Sequence, residues 1–272
     1  MIEKQFTHLA DIGFRRIAPS VALRPFVQWY WFIHSATHLP TQREEFMHPD
    51  GGSGLVFNWG DVLHMDSGRY PQTVTLDDVW RQSRRLQLCG TVNAFGIRFQ
   101  PGGAYAVFGL PVHELGETAC PELAEVAVSS THHLYEQLFA APATATKLSL
   151  IESWLMRQIY KTGGISPLIQ PSLAIMGRTK GQVSIQKLAD ALHVSTRQLE
   201  RLYKTQVGLS PKKLARIIRV RKAREALKQA NKQSSAQVAS ANGFYDQSHF
   251  IREFKSVVGM TPVAYAKRRR DG

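Results

Sequence analysis

The chain has 272 residues, is 43% hydrophobic and 20% charged, and so has a globular composition with length for two domains, which excludes a disordered chain. Its net charge of +13 is unevenly placed: residues 1–170 hold 13 Lys+Arg against 15 Asp+Glu, a net of −2, and residues 171–272 hold 21 against 6, a net of +15. A basic half joined to a near-neutral one points to a polyanion, and to nucleic acid before membrane.

The first residues show no apolar run of signal-peptide type, and no stretch reaches the roughly 18 apolar residues of a membrane span, so a cytoplasmic location is expected. Cys89 and Cys120 lie in neither a CxxC pair nor a metal-ligand spacing and read as small hydrophobes of a reduced protein.

The first hundred residues read as β-rich. Aromatic and β-branched runs at 26–33, 54–59, 72–76, 86–92 and 94–100 are separated by turn signals such as His48-Pro49-Asp50-Gly51-Gly52 and Pro101-Gly102-Gly103. Many short strands with such punctuation predict a sandwich or small barrel. Beyond Gly103 the period changes, and residues 123–139 and 143–160 carry apolar side chains at helical spacing, a helical hairpin after the β unit. Lys161-Thr162-Gly163-Gly164 ends the second helix, and a domain boundary is expected there, dividing the chain into 1–163 and 164–272.

The remainder reads as helical, at about 166–178, 183–192, 196–206, 211–230, 235–242, 246–257 and 262–268. Ser195 is placed to cap the helix that opens at Thr196, and Ser210-Pro211 puts Ser at N-cap and Pro at N1 of the long one. Two segments repeat one plan, short helix, turn, second helix, at about 183–204 and 235–257: this is helix-turn-helix spacing. Ala189 and Ala239 stand where paired helices cross closely, Val194 and Phe244 plug the angle, and Leu199, Leu202, Phe250 and Phe254 face inward. The linker helix at about 211–230 spans roughly 30 Å, close to one turn of B-DNA, and its stripe Leu214, Ile217, Val220, Ala223, Leu227 would dock both heads on one rod.

Several stretches carry a family resemblance. The run Ala239-Ser240-Ala241-Asn242-Gly243-Phe244-Tyr245-Asp246-Gln247-Ser248-His249-Phe250-Ile251-Arg252-Glu253-Phe254-Lys255, then Gly259-Met260-Thr261-Pro262, with Leu199-Glu200-Arg201-Leu202-Tyr203-Lys204 and Arg219-Val220-Arg221-Lys222-Ala223 upstream, resembles the AraC/XylS family of bacterial transcription regulators. His193 departs from it, where a glycine is common, as does Ala266, where Arg usually follows Tyr265. In the N-terminal part, Arg24-Pro25-Phe26-Val27-Gln28-Trp29-Tyr30-Trp31, His48-Pro49-Asp50-Gly51 and Gly96-Ile97-Arg98-Phe99-Gln100-Pro101-Gly102-Gly103 resemble the cupin-like sensor domain of one AraC-type subgroup. The resemblance implies a two-domain α+β chain. A cupin-like barrel with a helical hairpin would precede an all-α domain with two helix-turn-helix motifs. The implied partners are double-stranded DNA, a small-molecule effector and RNA polymerase, with no membrane; monomer and homodimer both stay open.

Exposed positions early in each recognition helix are the expected base readers: Arg197, Glu200 and Arg201, then Gln247, Ser248, His249 and Arg252. Arg suits guanine, Glu accepts from cytosine, and Gln suits adenine. Arg252 has phosphate contact and intradomain pairing as alternatives. Ser195, Lys204, Lys212, Lys213 and Lys255 are the expected phosphate contacts, and Lys267-Arg268-Arg269-Arg270 a solvated tail.

Glu45, His48 and Arg98 are the polar residues nominated for an effector pocket, with a sheet-stabilising salt bridge as the alternative for Arg98. The sequence holds no HxH pair, GxSxG, Walker loop or HExxH, so neither a cofactor nor a metal is expected. Two other classes compete with a non-enzymatic regulator. One is a nucleic-acid binder without sensing; the other is a DNA-modifying enzyme, which needs an activated cysteine in a setting that Cys89-Gly90 and Ala119-Cys120-Pro121 lack.

Overall fold

The computed structural model describes residues 12–35, 38–66, 68–115, 131–229 and 235–271. Its N-terminal part is built on strands β1 (Arg15–Ile17), β2 (Val27–His34), β3 (Leu39–Met47), β4 (Gly54–Asn58), β5 (Leu63–Met65), β6 (Gly68–Tyr70), β7 (Val74–Asp77), β8 (Arg84–Gly90) and β9 (Asn93–Phe99). These form two antiparallel sheets, ordered β1-β2-β9-β4-β7 and β3-β8-β5-β6. The N-terminal part is β-rich, as expected, with two sheets packed face to face, and among the described residues no strand pairs from one sheet to the other.

Period-two alternation assigns each face of the larger sheet. Val56 and Ala94 point toward the smaller sheet and meet Leu63, Tyr70 and Leu88 there. Leu55, Phe57, Phe95, Ile97 and Phe99 point the other way and are covered by helices. Burying each such side chain stabilises the fold by roughly 1.5–3 kcal/mol. The cover consists of α1 (Gly103–Phe108), α2 (His132–Ala140) and α3 (Thr144–Thr162), which bring Val107, Leu134, Leu138, Ile151, Trp154 and Leu155 onto that face. The expected helix over 123–139 is described from His132 onward, and Cys120 and residues 123–130 lie outside the described residues.

Strands β1, β3, β5 and β6 carry little apolar alternation and are missed by the sequence reading. In β3 the register is held by polar cross-strand pairs. Glu44 lies opposite Gln87, whose side-chain amide donates to it at 3.2 Å. The Arg85 guanidinium meets Glu44 at 3.1 Å and Asp66 at 3.2 Å.

The C-terminal part contains α4 (Ile169–Arg178), α5 (Ile185–Ala191), α6 (Thr196–Val207), α7 (Pro211–Gln229), α8 (Ser235–Ala241), α9 (Gln247–Val258) and α10 (Pro262–Asp271). Each agrees with an expected helix to within three residues. Leu214, Ile217, Val220 and Ala223 of α7 are buried and Leu227 is packed against the same core, the anticipated stripe. No helix among the described residues is long and apolar enough to cross a membrane.

The hydrophobic core runs without a break from the helical face of the sandwich into the C-terminal helices. Two glycines permit the close approach. A Cβ on Gly51 would lie 2.2 Å from Leu214 Cδ1, and one on Gly208 would lie 2.8 Å from Val112 Cγ1.

Candidate nucleic-acid interface

The two heads are the same device in register from their caps onward. Ser195 caps α6 by accepting from the Gln198 N–H, and Gln198 returns the bond to the Ser195 backbone, a complete capping box. Asp246 caps α9 by accepting from the His249 N–H. Counting from these caps, Leu199 matches Phe250, Tyr203 matches Phe254, and Val207 matches Val258; all six are buried. Gly208 and Gly259 close the helices in the left-handed region, at φ 79° and 84°. Tyr203, read from the sequence only as part of a motif, is a core residue. Its hydroxyl lies 2.5 Å from Ser172 Oγ, and burial pushes the phenol up to about 12 despite that hydrogen bond.

The same register places the polar side chains. Arg197, Glu200, Arg201 and Lys204 recur at three- and four-residue steps on one exposed face of α6 and, with Ser195 and Gln198, line an open depression of about 600 Å³. In α9, Ser248, Arg252 and Lys255 occupy the positions of Arg197, Arg201 and Lys204, and all three are exposed, as is Gln247. Ile251 stands where α6 has Glu200, so the second head lacks that acceptor. Lys212 and Lys213, in the first turn of α7, are exposed.

His249 differs from the other expected base readers. It stands at the position of Gln198 and does similar work: its Nδ1 accepts from the Tyr245 N–H at 3.4 Å, and its Nε2 lies 3.4 Å from Glu253. Its ring also packs edge-on against Phe244. Both ring nitrogens therefore face partners inside the domain.

Glu253 joins α9 to the linker helix through Arg219 at 3.3 Å and Arg216 at 3.6 Å, and Arg216 also donates to Ser256. Turn geometry explains the crossing of each pair. Val194 and Phe244 donate their N–H groups back to the Ala189 and Ala239 carbonyls, and both alanines are buried. The residue before each donor has positive φ: Gly243 at 72°, which glycine tolerates, and His193 at 54°, which costs a side-chain residue about 1 kcal/mol.

Glu45, His48 and Arg98 each have partners within the chain. Glu45 pairs with Arg43 at 3.1 Å along β3. Arg98, 7% exposed, holds Asp50 through two hydrogen bonds of 2.5 and 3.0 Å and approaches Asp77 at 3.5 Å, with its guanidinium over the Trp80 ring. Burial alone would raise the Asp50 carboxyl, yet Arg98 and the Gly52 N–H hold it below the usual carboxylate range. For Asp77 burial prevails and its carboxyl is raised, although Arg98, Tyr70, Trp80 and Arg84 oppose this. Arg98 is thus engaged in a buried ion pair with Asp50 and Asp77. Asp50 and Asp77 escaped the sequence reading, but an arginine inside the run Phe95–Phe99 was a signal that buried carboxylates must face it.

His48 lies at the joint between the two parts of the chain. Its Nδ1 is 2.7 Å from Ser83 Oγ, and its ring meets Tyr265 of α10 edge-on. Ser83 in turn donates its N–H to the Val257 carbonyl of α9 at 2.8 Å. Arg268 of α10 lies over Phe46 at 3.8 Å, and the Gln170 side-chain amide of α4 donates to the Pro25 carbonyl at 2.6 Å.

Residues 188–268 match the helix-turn-helix domain family, and residues 15–121 match a domain of unknown function (DUF6597). Over 104 residues the chain is 33% identical to the HTH-type transcriptional regulator GbdR of Pseudomonas aeruginosa, covering 38% of this chain and 28% of GbdR. It is 25% identical over 166 residues to the probable transcriptional regulator LumQ of Photobacterium leiognathi, covering 61% of this chain and 64% of LumQ. The matches thus span less than two thirds of these relatives.

Among solved structures, a transcriptional regulator from Chromobacterium violaceum with an AraC-type DNA-binding domain is 30% identical, covering 38% of this chain and 92% of that one, at a TM-score of 0.36. ToxT from Vibrio cholerae is 11% identical, covering 84% and 97%, at a TM-score of 0.44. With its paired heads, linker helix and the matched residues 188–268, the C-terminal part contains a helix-turn-helix domain similar to those of HTH-type transcriptional regulators.

Proposed function

We propose that the protein is a sequence-specific DNA-binding transcription regulator whose single chain reads two adjacent major-groove segments. The observation that carries this reading is the register of the two heads. Arg197, Arg201 and Lys204 have exposed counterparts in Ser248, Arg252 and Lys255 at equal distances from the helix caps. The helices are held by one rod of 19 residues, about 28 Å long, in a region of net charge +15. In this reading Arg197, Glu200, Arg201, Gln247, Ser248 and Arg252 contact bases, and Ser195, Lys204, Lys212, Lys213 and Lys255 contact phosphates. His249 acts chiefly as the brace of its turn.

The division of labour at 1–163 and 164–272 belongs to the same proposal, as does cytoplasmic action without catalysis. The N-terminal sandwich is the receiving part, responsive to a small-molecule effector. The joint through His48, Ser83, Val257 and Tyr265 supports this, because a shift in the sandwich edge reaches α9 and α10 directly.

Selection of bound duplexes from a random library, followed by sequencing, tests the reading. An asymmetric motif of two blocks about one helical turn apart is expected. Recovery of duplexes with no shared motif would leave only non-specific affinity for DNA.

A further inference from the structure

The two heads agree position by position after their caps, but the turns before the caps differ by one residue. From Ala189 to the cap Ser195 is six positions; from Ala239 to the cap Asp246 is seven. The turns run in parallel as far as Val194 and Phe244, which make the same backbone bond to the alanine carbonyl. The additional residue is therefore Tyr245, and its side chain is 92% exposed.

Three features fix where that side chain stands. Its N–H donates to His249 Nδ1, so its backbone is tied to the first turn of α9. Phe244 before it is buried, and Asp246 after it is turned back into the helix by the cap. Tyr245 is thus presented outward beside the end of α9 that carries the exposed Gln247 and Ser248.

Once such a helix end enters a major groove, the residue just before the cap faces the groove wall, which is lined with phosphates. A phenol is a neutral O–H donor with an apolar ring, suited to a phosphate oxygen and its sugar. We propose that Tyr245 is a phosphate-contacting positioning residue peculiar to the second head, seating α9 through a hydrogen bond from its hydroxyl. The proposal rests on the DNA-reading function above.

A neutral donor has a signature that a lysine lacks. It adds affinity without releasing a counterion, so its loss leaves the salt dependence of binding unchanged, whereas each lost cation contact reduces the slope by about 0.9. The test compares the full chain with Tyr245→Phe, Tyr245→Ala and Lys255→Ala on a selected site and on its scrambled counterpart, across a salt series. Tyr245→Phe, which removes one hydroxyl from an exposed side chain, is expected to weaken binding about three- to tenfold on the selected site. Its salt slope should be unchanged, and ethylation of one phosphate at the edge of the second block should no longer interfere. Tyr245→Ala should lose at least as much.

If Tyr245→Phe binds as the wild type does, or if its salt slope falls as that of Lys255→Ala does, the proposal is overturned. If the wild type itself shows no preference for the selected site over the scrambled one, the DNA-reading account fails and the role of Tyr245 falls with it.

Discussion

The backbone N–H of Ser83, just before β8 in the sandwich, donates 2.8 Å to the carbonyl oxygen of Val257, near the end of the second recognition helix. Ser83 Oγ lies 3.2 Å from the same oxygen and 2.7 Å from His48. A carbonyl in the last turn of a helix lacks an intrahelical donor, so a donor from elsewhere in the chain supplies the missing bond. The sandwich thereby holds α9 at its far end and leaves Gln247, Ser248 and Arg252 uncovered.

Removing the hydroxyl tests that joint. Ser83→Ala keeps the backbone bond to Val257 and deletes the links through Oγ. A loss of about 1 kcal/mol is expected, with faster amide exchange at the C-terminal end of α9. Unchanged exchange there would show that the hydroxyl does not hold the joint.

Arg98 is predicted to be more demanding. Arg98→Met would leave Asp50 and Asp77 buried without their shared guanidinium, at a cost of about 3–5 kcal/mol. Denaturant unfolding at neutral pH reads this as a lower midpoint. An unfolding free energy within about 0.5 kcal/mol of the wild type would mean that the two carboxylates find other partners.

His193 offers a stabilising substitution. Its φ of 54° lies in the left-handed region, and the corresponding residue of the second head is Gly243. His193→Gly is expected to raise stability by up to about 1 kcal/mol, because relief of strain outweighs the added freedom of the unfolded chain. Destabilisation would assign the imidazole a contact worth more than the strain.

Lys212 is predicted to act through charge alone. Lys212→Ala should weaken binding to selected and scrambled DNA equally and reduce the salt slope by about 0.9. A loss confined to the selected site would reassign it as a base reader.

The helical half was legible because several signals coincide there. Ser195 and Pro211 mark helix starts, Gly208 and Gly259 mark stops, and the stripe from Leu214 to Leu227 has helical period. In the sandwich, β2, β4 and β9 announced themselves through aromatic and β-branched runs. Strand β3 did not, since its Arg43-Glu44-Glu45 segment becomes a strand through pairing with β8, and that partner is distant in sequence. The same reason hid Asp50 and Asp77 as partners of Arg98, and Ser83 as the partner of His48. Burial and pairing across tens of residues carry those relationships, and no local pattern encodes them. Tyr245 is visible as a letter in a motif, but its place as an additional residue depends on which residues cap the two helices, Ser195 and Asp246.

The central claim is that one chain reads two successive segments, one with each head. The direct measurement is the base preference of Arg201→Ala and Arg252→Ala, scored at every position of the selected two-block site. Each variant should lose about 1–3 kcal/mol of discrimination, Arg201→Ala in one block only and Arg252→Ala in the other only. Loss of preference in the same block for both variants, or in neither, would contradict a chain that lays its two heads side by side on DNA.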